Sequence, residues 1–111
     1  MAASSLQYNN DLVRIRRQYI DSLPDKIHAL EAALSNLSDS DRPDRELKDL
    51  HRIAHQLAAS AGSHGLLQVS RVARELDDLS DDVPTPVDEN VAQAVQEMGD
   101  ALVDLLRQVP A

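Results

Sequence analysis

Four histidines, at positions 28, 51, 55 and 64, are the side chains of this 111-residue chain best suited to chemistry near neutral pH. An imidazole can act as a nitrogen nucleophile, a general base or a metal ligand. His51 and His55 stand four residues apart, as metal-binding pairs on helices do, and His64 follows with Ser60 and Ser63 close by. A zinc shell needs more donors than this. The chain has no Cys, and no carboxylate occurs between Leu50 and Arg74, so no metal site is expected. Hydrolysis by a serine needs the G-x-S-x-G elbow and a strand-borne oxyanion hole, and neither pattern is present. A histidine nucleophile is what remains.

His55 is the best placed of the four. On a helical wheel the stripe Leu47, Leu50, Ala54, Leu57 and Ala61 occupies one side, and His55 falls roughly 130° from its centre. It is expected on the surface, with His51 and Arg52 one turn before it, Ala58 and Ala59 one turn after, and Lys48 and Gly62 two turns off. Helical side chains lean toward the N-terminus, so the small Ala59 leaves the imidazole approachable. Between Leu50 and Arg74 the chain holds three Arg and no acid, although it carries 19 Asp plus Glu in all. Such a cationic window suits an anion attached to the ring, and a phosphoryl group would be one. Lys48 and Arg52 are the expected screening charges. With no G-x-x-x-x-G-K loop and only three Gly, the chain has no means of cradling ATP, so the phosphoryl group must arrive from a partner. His51 is expected to be an edge-of-core histidine dispensable for uptake, His64 to line a helix connection, and His28 to be a plain surface residue.

The elements that must position His55 are helices. Apolar residues recur at three- and four-residue spacing as Leu12, Ile15, Tyr19 and Leu23, then as Ile27, Leu30, Leu34 and Leu37. The third helix begins after Asp41-Arg42-Pro43, and Gly62-Ser63-His64-Gly65 ends it. A fourth carries Leu66, Val69, Val72, Ala73, Leu76 and Leu79, and the Val83-Pro84-Thr85-Pro86 linker leads to a last helix capped by Asp88 and slightly weakened by Gly99. No strand alternation and no repeat is visible. The expected fold is all-α, an antiparallel up-down four-helix bundle with an additional N-terminal helix, as one domain over residues 1–111.

Composition narrows the partners. A net charge of −8 and two Tyr as the only aromatics argue against nucleic acid, which needs phosphate-binding cations or stacking platforms. No run of about 18 apolar residues suggests a membrane span, and the absence of Cys agrees with a cytoplasmic setting.

The run His55-Gln56-Leu57-Ala58-Ala59-Ser60, continuing through Gly65, Val69, Leu76 and Asp77, resembles the histidine-containing phosphotransfer (HPt) domain. That family shows H-x-L-K-G-S, a Gly ten residues after the His, apolar positions at 14 and 21, and an acid or amide at 22. His55, Leu57, Ser60, Gly65, Val69, Leu76 and Asp77 match it, whereas Ala58 replaces the Lys and Ala59 the Gly that follows it. The resemblance implies a phosphocarrier without kinase activity of its own. His55 would accept a phosphoryl group from the aspartate of one receiver domain, in a response regulator or hybrid histidine kinase, and pass it to another. It also implies that magnesium belongs to the receiver, that the carrier itself needs no cofactor, and that Arg52 and Lys48 stand in for the missing Lys. Gly62 and Gly65 would shape the helix end below the site. A monomer is expected. An adaptor that binds a receiver or kinase domain without phosphotransfer is the alternative.

Overall fold

The computed structural model describes residues 2–39, 41 and 43–110. Five helices follow one another: α1 (Ala2–Asp21), α2 (Leu23–Asp39), α3 (Pro43–Ser63), α4 (Leu67–Ser80) and α5 (Glu89–Arg107). No strand occurs among the described residues, and no helix among them is long and apolar enough to cross a membrane.

Local chemistry sets the helix ends. Pro43 opens α3 where its missing N–H costs nothing, and Asp44 and Glu46 in the first turn meet the positive end of the helix dipole. The other end of α3 is closed by Gly65, whose φ of 78° is left-handed. Gly65 N–H donates to the Gly62 carbonyl at 3.1 Å and Leu66 N–H to the Ala61 carbonyl at 2.9 Å. These are the two bonds of a Schellman closure, which only a residue tolerant of positive φ completes without strain. At α5 the Asp88 side chain accepts from Asn90 N–H at 2.7 Å, as expected of an N-cap.

The helices pack as α2 on α3, α3 on α4, α4 on α5 and α5 back on α2, which closes a ring of four around an aliphatic core. Leu30, Leu47, Leu50, Leu76, Leu102, Leu106 and Val95 are the largest fully buried side chains. Gly99 corrects the expectation that it merely weakens α5. It is buried, and a Cβ built on it would collide with the methyl groups of Leu34, so it is the point where α2 and α5 close on each other.

The first apolar stripe divides. Tyr19 and Leu23 are buried, Leu23 as the first residue of α2, but Leu12 and Ile15 remain 47% and 45% exposed. The reason lies in the shape: the molecule extends 60 Å along one axis and only 21 and 18 Å across, and α1 runs on past the end of the ring. Its last turns hold it there. Arg16 Nη1 donates to the His64 carbonyl at 2.8 Å, the Tyr19 hydroxyl and Ser60 Oγ are 2.8 Å apart, and the Tyr19 ring stacks on His64 at 4.0 Å. Lys26 Nζ lies 5.4 Å from the centre of the same Tyr19 ring.

Two stability outcomes follow from this packing. Gly99→Ala gains about 0.5–1 kcal/mol of helix propensity but overfills the Leu34 contact at a cost of about 1–3 kcal/mol, so thermal unfolding should show a midpoint lower by about 4 °C for each net kcal/mol. Burial pushes the Tyr19 hydroxyl above its ordinary value, and the Ser60 bond only partly offsets this. A folded-state value raised in this way makes a contribution fully present below the unfolded value and lost as pH rises through the folded one. Denaturant unfolding should therefore show stability falling above pH 10 in the unmodified chain, and Tyr19→Phe should remove that part of the fall.

Candidate functional site

His55 sits on the open flank of α3, its side chain 70% exposed. The imidazole is held from one side only. Its Nδ1 lies 3.0 Å from Oδ2 of Asp77, a residue of α4 that stands 22 positions further along the chain. An ionised carboxylate can only accept, so in the neutral ring Nδ1 is the nitrogen that carries and donates the proton, and the lone pair belongs to Nε2. The opposite tautomer would set two lone pairs against each other across that distance. Asp77 itself is well covered, with 15% of its side chain exposed.

The second oxygen of Asp77 is also engaged. His51 Nδ1 stands 2.8 Å from Asp77 Oδ1 and 3.2 Å from the Asp77 backbone carbonyl, and its Nε2 is 3.7 Å from Asp81 Oδ1. The carbonyl of residue 77 belongs to the last turn of α4. Ser80 Oγ and the His51 ring supply donors to it. The two imidazoles, 6.0 Å apart between ring centres, thus face one carboxylate from successive turns of α3.

The acid-free window is therefore acid-free in sequence only. Packing of α4 on α3 sets Asp77 against His55 and Asp81 near His51, so the ring faces negative charge on its α4 side. The expected cations separate around the helix. Arg52 is exposed and lines a groove of about 300 Å³ between α2 and α3, together with Lys26, Ile53, Leu57 and Ser60. Lys48 points the other way, over the end of α4, beside His51, Ser80, Asp81 and Asp82. Lys26 comes to the Arg52 groove from α2, and nothing in the local sequence around His55 announces it.

The small residues also take different places. Ala59 is exposed one turn beyond His55, which keeps the ring approachable. Ala58, expected to flank the site, is buried instead, with 6% exposure; its carbonyl accepts a 2.7 Å bond from the buried Ser70 Oγ. The position lies about 60° from His55 on the wheel, turned toward the apolar stripe that packs, whereas Ala59 lies about 40° to the other side. Gly62 likewise serves the α3–α4 contact, since a Cβ there would stand 3.1 Å from Ser70 Oγ. Gly65 belongs to the helix closure. His64 lines the connection as expected, its Nδ1 donating to the Ser60 carbonyl at 2.8 Å, and His28 is exposed on α2. Leu57, Val69 and Leu76, the apolar positions of the matched pattern, are buried at 4%, 4% and 0% exposure.

A search among curated proteins and one among solved structures each returned no match. The Hpt domain family matches residues 14–109, which takes in α2 to α5 entirely and the final turns of α1. Hpt domains are phosphocarrier modules, not enzymes, and interact with receiver domains. With an exposed histidine on the second helix of the four-helix ring and the family's match spanning most of the sequence, this chain belongs to the Hpt domain family and to phosphorelay signalling.

Proposed function

We propose that the chain is a phosphorelay intermediate in which His55 accepts a phosphoryl group from a receiver-domain aspartate and hands it to a second receiver. The observation that carries this reading is the exposed imidazole whose Nδ1 is held by Asp77 Oδ2 at 3.0 Å. The Nε2 lone pair attacks phosphorus, the new N–P bond forms as the bond from phosphorus to the aspartyl oxygen breaks, and the electron pair leaves with the aspartate carboxylate. The ring keeps its Nδ1 proton and becomes a phosphorylated imidazolium, whose positive charge Asp77 offsets. No proton has to move, and the step runs equally in reverse toward the next receiver.

The remaining parts are divided between the partners. Magnesium and the acidic pocket come from the receiver, in a response regulator or a hybrid histidine kinase, and this chain brings the nucleophile and a docking face. Arg52, one turn before His55, supplies positive charge on the side away from Asp77, with Lys26 across the groove. Lys48, turned toward the end of α4, contributes less. We place the carrier in the cytoplasm as a monomer, with α2 to α5 in an antiparallel up-down arrangement and α1 as an added N-terminal helix.

Incubation with a phosphorylated receiver should label the unmodified chain with an acid-labile, base-stable phosphate. His55→Gln should keep its helical circular dichroism and take up no label. Labelling of the variant overturns the assignment, and binding without labelling of the unmodified chain supports the adaptor reading instead. Ala59→Leu should lower the transfer rate by about 10²-fold, because a misplacement of about 1 Å at a reacting centre costs that much. As a surface change it should leave stability within about 0.5 kcal/mol. Equal transfer rates would remove the steric role of Ala59.

A further inference from the structure

We propose that His51 is a positioning residue for His55, acting through the carboxylate they share. This inference rests on the reading of His55 as the phosphoacceptor, although the contact it concerns belongs to the chain alone. A carboxylate on a short side chain turns about its last torsion, and one that turns presents its oxygens to Nδ1 of His55 at varying angles. His51 removes that freedom. Its Nδ1 is 2.8 Å from Oδ1, the oxygen His55 does not use, and 3.2 Å from the carbonyl of the same residue. A backbone carbonyl can only accept, so in this bond His51 Nδ1 is the donor. The N–H so placed bonds to the Asp77 carbonyl, and Oδ1 of the same residue lies 2.8 Å from that nitrogen.

The ring of His51 is steadied in turn. Its Nε2 faces Asp81 at 3.7 Å, so both ring edges look toward acceptors of α4 and the turn that follows it. Two-thirds of its side chain is covered, against 30% for His55. The more buried imidazole is thus the fixed one, and the more exposed imidazole is the reactive one. The chain of orientation runs from His51 to Asp77 to His55: the first sets the plane of the carboxylate, and the carboxylate sets the tautomer of the nucleophile. Groups standing behind a reactive histidine at metal sites act similarly, and their loss there costs about 10–100-fold.

The roles can be read directly in the isolated chain by 15N nuclear magnetic resonance, which reports which ring nitrogen of His55 bears the proton. The unmodified chain should show His55 chiefly protonated at Nδ1. Asp77→Ala should move His55 toward the Nε2-protonated form that histidine prefers in water. His51→Leu should move it in the same direction, and phosphoryl uptake should slow by about tenfold. His51→Asn should restore both, because the Asn amide nitrogen occupies the position of Nδ1 and can donate to Asp77. A merely structural role for His51 would not move the tautomer or be rescued in this way. His51→Ala provides the same readout should the Leu variant fail to fold.

A His55 tautomer unchanged in folded His51→Leu or His51→Ala overturns the proposal, whether or not Asp77→Ala alters it. Failure of the unmodified chain to take up phosphate, with the tautomer responding as described, overturns the transfer function and leaves the positioning role of His51 standing.

Discussion

The close approach of α3 and α4 is the constraint on which the rest of the molecule depends. Along this seam α3 presents small residues, with Ala58 and Gly62 meeting Ser70 of α4. The Ser70 hydroxyl is buried and donates to the Ala58 carbonyl at 2.7 Å, so a polar group inside the seam is satisfied and not left as a cost. Small side chains allow the two backbones to come near enough for that bond. They also determine how far Asp77, two turns further along α4, stands from His55. A side chain at 62 would press on Ser70, whose Oγ lies 3.1 Å from a Cβ built there. The register that packs Val69, Ala73 and Leu76 into the core is the same register that delivers Asp77 to the surface beside the histidines.

Around this seam the fold separates a rigid interior from a reactive exterior. Leu30, Leu50, Leu76 and Leu102 have no exposed surface, and interiors of this kind are close-packed and hold their shape. The contact of Gly99 with Leu34 fixes the opposite side of the ring. Tyr19, itself buried, works at the end of the bundle, tying α1 to Ser60 of α3 and to His64 just beyond it. None of these groups touches His55. Phosphoryl transfer between proteins requires a nucleophile that a partner can reach, borne on a backbone that does not move as the partner arrives. An exposed ring on a long buried helix meets both requirements.

The charge pattern bears on the same point. With 19 acids against 11 basic residues, the chain as a whole repels anions. Screening at physiological ionic strength limits exposed charges to about 8 Å, so the groups near the ring matter more than the total. Asp77 stands against Nδ1, while Arg52 and Lys26 line the groove on the α2 side of α3. A carboxylate at Nδ1 favours a ring that carries positive charge after accepting a phosphoryl group, and cations on the other side favour the phosphoryl oxygens.

Much of this was legible in the residues alone. Apolar periodicity, Pro43, Asp88 and the Gly62 to Gly65 break located the helices and most of their ends, because caps and turns depend on neighbours within a few positions. The wheel placed His55 outside the stripe, and its spacing to Leu57, Ser60, Gly65, Val69, Leu76 and Asp77 carried the family resemblance. Contacts between helices were not legible in the same way. The window without acids around His55 is closed by an acid 22 residues away, since distance along the chain says nothing of distance across a seam. Ala58 turned inward, Gly99 became a contact point, and Leu12 and Ile15 stayed exposed where α1 outran the ring, each because a neighbouring helix was or was not there to meet it. The sequence by itself determined which helices form and that His55 lies outside the apolar stripe of its helix, because both follow from local periodicity. Only the tertiary structure decided which nitrogen of His55 is free, because that depends on where the packing of α4 sets one carboxylate.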